Sequence, residues 1–269
     1  MNTDYILLDT GNGKRLEQFG NITVIRPAKQ ADWKPSLPVS DWNQAELFYE
    51  NEKWTGAPEE FTTHFNDITF SLAKMDNGQV GVFPEQVENW EWLQKTTEGE
   101  KHKILNGFAY TGGSTLFSSN HINKVTHLDA SKPAIKKAKH NMELSFKINN
   151  NIRFIHDDVI TFMKKEVKRG KKYDGFVFDP PAFGKGGKNK TWKLSKDLPV
   201  LMELIYELSA TEPSFVLLTA HDPSMNAKDL AKQLKKMCPK SAKLESGDLV
   251  MKAQSGNDIK NGYFARFSI

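Results

Sequence analysis

Hydrophobic and polar positions follow different patterns in the two parts of the chain. Before residue 100, short alternating stretches are separated by turn residues, as in DYILLD, GNGK and NITVIRP, and again in FNDITFSLAK, MDNG and QVGVF. Alternation with Asn-Gly and Gly-Asn turns predicts β-hairpins. The Trp- and Pro-rich stretch between them is expected to fill the core of a small domain rather than to stack on nucleobases. PEQVENWEWLQKTTEGEK then predicts a helix that runs into a Gly-containing loop.

After residue 100, apolar strands alternate with helical segments. The predicted strands are HKILNGFAY, KVTHLD, NIRFIHD, YDGFVFD and SFVLLTA, and AKLESGDLVMKAQSGNDIKNGYFARFSI predicts two closing strands. Strands that alternate with helices predict a parallel sheet covered on both faces. We therefore predict an α/β fold: a small β-rich N-terminal domain over residues 1–95, followed by a doubly wound, Rossmann-like domain over residues 96–269.

Composition narrows the class of protein. The chain is 38% hydrophobic and 26% charged, as in ordinary globular domains. No apolar run approaches the roughly 20 residues of a membrane span, and no signal peptide is visible. The single cysteine, Cys238, cannot form an intramolecular disulfide, and the histidines lack metal-ligand spacing. These features predict a cytoplasmic protein without a metal site.

Charge is distributed unevenly along the chain. The net charge is +4, but residues 1–100 carry 8 Lys/Arg and 17 Asp/Glu, whereas residues 101–269 carry 29 and 16. Lysines cluster around residues 136–139, 164–172 and 185–196. A basic surface can attract a polyanion, although solvated helix faces explain the first two clusters equally well. The third cluster differs because it follows the strongest chemical motif.

Three consecutive predicted strands end in residues that could bind a ligand. Ligands of open α/β sheets bind beyond the carboxyl ends of the strands. Gly112 and Gly113 follow the first strand and let the backbone approach a ligand. Asp129, about 20 residues later, can hold ribose hydroxyls, and Asp157-Asp158 can accept a hydrogen bond from an adenine amino group. A plain turn and two helix caps are the alternatives, but the order predicts an adenosine pocket. The dinucleotide fingerprint GxGxxG is absent, which argues against a dehydrogenase.

The fourth strand ends in the strongest local signal, DPPAFG. Pro180 and Pro181 fix the backbone directly after a buried strand. Phe183 can stack on a flat base, and Asp179 can accept a hydrogen bond from an amine. The motif suits methyl transfer to a planar nitrogenous group; a stiffened turn at the strand exit is the alternative.

These blocks resemble a known family. FAYTGGSTL, HLDASKPAIKKAKHNMEL, FIHDDVITFM, FVFDPPAFGKG and FVLLTAHDP are similar to the successive motifs of class I S-adenosylmethionine-dependent methyltransferases. DPPAFGKGGKNKTWKLSKDLPVLMEL and VGVFPEQVENWEW resemble the large-subunit rRNA cytosine-C5 methyltransferases and their uncharacterised bacterial relatives, across residues 78–269. The opening DYILLDTGNGKRLEQFG is similar to those relatives as well. The resemblance implies S-adenosylmethionine as cofactor and ribosomal RNA as partner.

The resemblance also assigns roles to individual residues. The implied cofactor site contains Phe83, Gln86, Tyr110, Gly112, Gly113, Asp129, Ala130, Ser131, Asp158 and Val159. Within it, Tyr110 and the glycines would contact the methionine end, Asp129 the ribose, and Asp158 with Val159 the adenine. The segment with Phe83 and Gln86 would close over the cofactor. The implied catalytic residues facing the methyl acceptor are Asp179, Pro180, Pro181 and Phe183.

One departure from the family bears on the methylated atom. A cytosine-C5 methyltransferase needs a cysteine that adds to the ring, but DPPAFGKG and LLTAHDPS contain none, and Cys238 lies beyond a helix. A nitrogen acceptor is therefore expected, because its lone pair needs only positioning. A protein or small-molecule methyltransferase and a non-catalytic cofactor- or RNA-binding protein remain as alternatives. His221 could act as a base near the acceptor, although a packed or solvent-facing histidine is the favoured interpretation.

Overall fold

The computed structural model describes residues 1–145, 151–185 and 191–269. The chain divides into two compact units. Unit 1 comprises Met1–Val87, a short segment that begins at His140, and Val250–Asn261. Unit 2 comprises Glu88–Lys139, the described residues 151–249, and Gly262–Ile269. The domain boundary at residue 95 stays a prediction.

Unit 1 is rich in strands, as the alternating pattern predicts. Its elements are β1 (Tyr5–Gly11), β2 (Lys14–Phe19), β3 (Ile22–Pro27), α1 (Val39–Trp42), β4 (Leu47–Glu50), β5 (Lys53–Gly56), β6 (Glu60–Phe65) and β7 (Ile68–Ala73). The first five strands form one sheet in chain order, and β6 pairs with β7. Trp33 and Trp42 pack against buried clusters of this unit, as core-filling residues do.

The second predicted hairpin is shifted along the chain. Its strands are β6 and β7, and QVGVF (79–83), which the alternation indicated as a strand, is not one. The Ala73 amide still donates to the Val80 carbonyl at 3.0 Å, and Val80 and Val82 are buried. The segment then enters a 3₁₀ turn at Pro84–Gln86. The alternating apolar pattern of QVGVF therefore reflects the burial of Val80 and Val82, which do not belong to a β-strand.

The rest of the chain alternates strands with helices. The elements are α2 (Val87–Thr96), β8 (Lys103–Gly107), α3 (Gly113–Phe117), β9 (Lys124–Asp129), α4 (Lys132–Leu144), β10 (Ile152–His156), α5 (Val159–Lys168), β11 (Gly175–Phe178), β12 (Phe183–Lys185), β13 (Thr191–Lys193), α6 (Leu194–Leu208), β14 (Phe215–Ala220), α7 (Ala227–Leu234), β15 (Glu245–Met251) and β16 (Ile259–Ser268). This pattern confirms the predicted doubly wound α/β class.

A seven-stranded sheet carries the order β10-β9-β8-β11-β14-β16-β15. The first five strands of this order are parallel, and β16 runs antiparallel to β14. The chain leaves β8 toward β9 on one side and returns to β11 on the other, so β8 lies at the topological switch point. Ligands of such sheets bind beyond the carboxyl ends of the strands at this point.

Burial explains why the central strands read as continuous apolar runs. Every residue of β11 and of β14 is buried, which is typical of parallel strands that are covered on both faces. In α6, buried leucines and isoleucine recur at helical spacing, at Leu194, Leu198, Leu201, Ile205 and Leu208. Within the described residues, no helix is both long and apolar enough to cross a membrane.

Candidate active site

The carboxyl ends of five parallel strands meet at one edge of the sheet. β10, β9, β8, β11 and β14 are neighbours in that order. The predicted residues that follow β8, β9, β10 and β11 therefore lie along the same edge, in the order in which the sequence suggested a ligand. The topology brings together the predicted cofactor residues of unit 2 and the predicted catalytic residues.

The turn after β8 requires glycine. Gly112 has φ +93° and is the N-cap of α3, and a Cβ atom there would lie 3.1 Å from Ala138 Cβ. A Cβ at Gly113 would lie 2.6 Å from Trp90 Cζ2. Tyr110 also has positive φ, at +48°, which is uncommon for a residue with a side chain. The sequence signal GG therefore reports close packing of this turn against neighbouring elements.

Asp129 joins the turn after β8 to the end of β9. Its Oδ2 accepts a hydrogen bond from the Tyr110 amide at 2.8 Å, and its Oδ1 accepts one from the Ser131 amide at 2.7 Å. Each carboxylate oxygen can accept a further bond, so the side chain retains capacity for ribose hydroxyls. Burial raises the pKa of the Asp129 carboxyl. Ala130, the next residue, is exposed.

Three buried polar side chains form a series of hydrogen bonds that joins α3, which follows the glycine turn, to β8 and β9. Asn106 on β8 lies 2.8 Å from Thr115 Oγ1 on α3, and that hydroxyl lies 2.8 Å from His127 Nδ1 on β9. Burial lowers the pKa of His127 to about 3. The imidazole is therefore neutral at physiological pH, and it serves to position α3 rather than to exchange protons.

Asp158 caps a helix. Its Oδ1 accepts hydrogen bonds from the Thr161 amide at 2.9 Å and from Thr161 Oγ1 at 2.7 Å, as the N-cap of α5. Asp157 instead pairs with Lys165 Nζ at 2.6 Å. Val159 is buried in the core of unit 2. The capping alternative for Asp158 is thus present in the structure, and the adenine contacts of Asp158 and Val159 stay predictions.

Two predicted cofactor residues belong to unit 1. Phe83 directly precedes the 3₁₀ turn Pro84–Gln86, and Gln86 ends that turn and is buried. Neighbouring Glu85 is also buried and contacts Asn261 Nδ2. The predicted contacts of Phe83 and Gln86 with the cofactor rest on the family resemblance and stay predictions.

Asp179 follows β11 and is held by two side chains of the adjacent segment. Thr219 Oγ1, on β14, donates a hydrogen bond to Asp179 Oδ1 at 2.5 Å. His221 Nε2 lies 3.3 Å from the same oxygen. The Asp179 and His221 side chains are about one-third exposed, at 31% and 30%. The sequence did not single out Thr219. The usable signal was that β14 is the predicted strand after β11, so that its last residues could lie beside Asp179.

The segment after Asp179 is hydrogen-bonded to Trp192 of β13, the strand that pairs with β12. The Pro181 carbonyl accepts a hydrogen bond from Trp192 Nε1 at 2.7 Å, and the Trp192 ring packs 4.9 Å from the ring of Phe108. Phe183 pairs with Lys193 across β12 and β13. Phe183 is 66% exposed, and Lys193 Nζ lies 5.8 Å from the centre of its ring. Pro180 is buried, whereas Pro181 and Phe183 are exposed, so a flat group can reach these two residues of the motif.

The remaining candidates are the third lysine cluster, Cys238 and a metal site. Of the third lysine cluster, Lys188 and Lys190 lie outside the described residues, while Lys193 and Lys196 are exposed. Cys238 follows α7, and burial raises the pKa of its thiol, whereas a nucleophilic cysteine needs a lowered pKa. Over residues 1–145, 151–185 and 191–269, no group of His, Cys, Asp and Glu could hold a metal ion.

Comparison with known proteins places this geometry in a family. The model of the S-adenosylmethionine-dependent methyltransferases matches residues 50–246. A crystal structure of the SAM-dependent methyltransferase from Agrobacterium tumefaciens superposes with a TM-score of 0.93 at 31% identity, covering 98% of this chain and 90% of that one. A structure from Streptococcus mutans has the same fold, with a TM-score of 0.76 at 16% identity over 99% of this chain and 75% of that one.

Local sequence matches come from ribosomal RNA large subunit methyltransferase I. The Aeromonas hydrophila protein is 32% identical over 114 residues, which are 42% of this chain and 28% of that protein. The Tolumonas auensis protein is 34% identical over 119 residues, 44% of this chain and 30% of that protein. The matched region thus spans less than a third of these curated relatives.

The glycine turn, the shared carboxyl edge and the acid that ends β9 fit an adenosine-containing cofactor, as the sequence predicted. The family match covers most of the chain and includes all of these elements. The predicted cofactor is thereby confirmed as S-adenosylmethionine. The chain belongs to the S-adenosylmethionine-dependent methyltransferase family.

Proposed function

We propose that the enzyme methylates a nucleobase in ribosomal RNA, at a nitrogen atom rather than at cytosine C5. The observation that carries this proposal is the segment from Asp179 to Phe183. It offers a carboxylate fixed by two side chains and, four residues later, an exposed aromatic ring. A hydrogen-bond acceptor beside a stacking surface suits a planar base that carries an N–H group.

The chemistry requires little beyond positioning. S-adenosylmethionine, when bound, supplies an electrophilic methyl group on sulfur. The Asp179 carboxylate would accept the proton that the acceptor nitrogen loses when the methyl group is transferred to it from the cofactor sulfur. Phe183 would hold the plane of the base by stacking, and Lys193, 5.8 Å from its ring centre, would face the RNA backbone.

Two observations support nitrogen over carbon. Attack by cytosine C5 needs a cysteine thiolate that adds to the ring. The one cysteine, Cys238, donates from Sγ to the carbonyls of Pro239 at 3.6 Å and Ala242 at 3.8 Å, and burial raises the pKa of its thiol. Its surroundings therefore favour the protonated thiol over the thiolate that C5 chemistry needs.

Ribosomal RNA is proposed as the substrate class because of the relatives and the charge. The matched relatives are named as ribosomal RNA large subunit methyltransferases. Residues 101–269, which include Asp129 and Asp179, hold 29 of the 37 Lys and Arg residues. A positive surface lowers the free energy of binding a polyanion by releasing its counterions.

The test is transfer of radiolabelled methyl from S-adenosylmethionine to rRNA from a strain that lacks this gene, beside wild-type rRNA. We expect label only in the rRNA of the deletion strain, and nucleoside analysis should find it on a nitrogen. Asp179→Ala should abolish the label, whereas the control Asp248→Ala, at an exposed acid of β15, should retain it.

Two results would contradict the proposal. Label on cytosine C5 would refute the nitrogen assignment and would require a cysteine nucleophile. No label in rRNA, with cofactor binding intact by calorimetry, would refute the RNA assignment and direct the search to protein and small-molecule acceptors.

A further inference from the structure

Three strands converge on the imidazole of His221. Its Nε2 lies 3.3 Å from Asp179 Oδ1, at the exit of β11. On the other side, Gly262 of β16 has φ +123°, and a Cβ atom there would lie 2.7 Å from His221 Nδ1 and 2.7 Å from the Ala220 carbonyl. A side chain at position 262 would therefore collide with the ring.

The backbone on either side of His221 is also fixed. Ala220, the last residue of β14, pairs with Tyr263 of β16. The Tyr263 hydroxyl donates to the Asp222 carbonyl at 2.5 Å, and the Asp222 carboxylate accepts from the Ser224 amide at 2.9 Å. His221 thus lies between two anchored residues, which limits the directions in which its side chain can point.

Thr219 approaches Asp179 from the same strand. Its hydroxyl, 2% exposed as a residue, donates to Asp179 Oδ1 at 2.5 Å. Thr219 and His221 are two residues apart at the carboxyl end of β14, so both side chains emerge on one face of the sheet. Both contacts fall on the same carboxylate oxygen. Together they set the rotation of the carboxylate and concentrate its negative charge on Oδ1.

We propose that His221 and Thr219 are positioning residues that orient the Asp179 carboxylate toward the methyl acceptor. This inference rests on the proposed role of Asp179. It assigns the catalytic contact to Asp179 and gives the β14 pair the task of holding it in one rotamer. In a transferase that works by positioning, a misplaced acceptor group lowers the rate of transfer and leaves cofactor binding unchanged.

The test is a set of paired substitutions measured with rRNA of the deletion strain as acceptor. His221→Leu and Thr219→Val each remove one donor and should lower kcat about 10-fold, as expected for a hydrogen bond to a charged group. The KM and the calorimetric Kd for S-adenosylmethionine should not change. His221→Gln keeps a donor near the Nε2 position and Thr219→Ser keeps the hydroxyl, so each should recover most of kcat.

A double-mutant cycle separates positioning through Asp179 from a structural effect. In the Asp179→Ala background, His221→Leu and Thr219→Val should have no further effect on kcat, because their shared target is gone. Multiplication of the separate losses would overturn the proposal. An increase of the cofactor Kd in either single variant would also overturn it.

A second measurement needs no acceptor, and so it distinguishes failure of this inference from failure of the rRNA proposal. Long-range ¹H–¹⁵N NMR of the histidine rings reports which ring nitrogen carries the proton. We expect the Nε2–H tautomer for His221 in the wild type and a mixture of tautomers in Asp179→Ala. An Nδ1–H tautomer in the wild type would overturn the inference, whatever the enzyme methylates.

Discussion

The two acids of the site are held in different ways. Asp129, on the proposed cofactor side, receives hydrogen bonds from two backbone amides, those of Tyr110 and Ser131. Asp179, on the proposed acceptor side, contacts two side chains, those of Thr219 and His221. Backbone donors persist in any sequence that keeps the fold, whereas a single substitution removes a side-chain donor. The cofactor side is therefore robust to mutation around its acid, and the acceptor side can be altered one residue at a time.

The largest effect that separates the two sides is expected from Asp179→Ala. Removal of the proposed proton acceptor should lower kcat at least about 100-fold, the usual contribution of a positioned acid–base group. The Kd for S-adenosylmethionine, measured by calorimetry, should stay within a factor of about two. A comparable loss of cofactor affinity would show that the two sides are not independent.

The converse substitution is Asp129→Ala. Loss of two hydrogen bonds to ribose should raise the Kd for S-adenosylmethionine by roughly 50-fold, at about 1–1.5 kcal/mol for each bond. Asp129→Asn keeps one acceptor oxygen and should lose less. The matched control is Asp248→Asn, at an exposed acid of β15. An unchanged Kd in Asp129→Ala would refute the ribose assignment.

A fall in pH should lower the free energy of unfolding through the buried His127. The pKa of His127 is lowered by burial from 6.5 to about 3. Below pH 6.5 the unfolded chain binds a proton that the folded chain excludes, so the free energy of unfolding falls as the pH falls, down to about pH 3. Between pH 7 and pH 5 this loss should be about 2 kcal/mol. Urea denaturation across this range measures it, and His127→Asn should show a shallower pH dependence. Equal slopes for both proteins would contradict the assignment.

The smallest effect concerns the glycine turn itself. Gly112→Ala places a Cβ atom at φ +93° and 3.1 Å from Ala138 Cβ. Gly170→Ala is a matched control, because Gly170 has φ +62° and no atom within 4 Å of the added Cβ. Both should lose about 1 kcal/mol of unfolding free energy to backbone strain, and Gly112→Ala about 1 kcal/mol more to overpacking. Equal losses would show that the turn can relax.

The strand ends of the sheet could be predicted because each buried strand is an apolar run that stops at a polar residue. Asp129 and Asp179 stood out for that reason. Asp158 was ambiguous, because a residue that follows a strand and precedes a helix can bind a ligand, cap the helix or do both. The contacts of Thr219 and His221 with Asp179 were not identified, because they join residues about 40 apart in the sequence and the strand order indicates only that the two segments lie near each other. The prediction of a strand at QVGVF was wrong, because its apolar residues are buried without pairing in a β-sheet.

The bond between Pro181 and Trp192 has a consequence for how far the length of the intervening chain can vary. The Pro181 carbonyl accepts from Trp192 Nε1 at 2.7 Å, and the Leu194 amide donates to the Ala182 carbonyl at 3.0 Å. These two hydrogen bonds hold residues 181–182 next to residues 192–194. Closing a loop costs only about 0.6 kcal/mol more for each doubling of its length. A change in the length of the chain between residues 182 and 192 is therefore expected to cost little stability and to leave β11, the strand that precedes Asp179, unchanged.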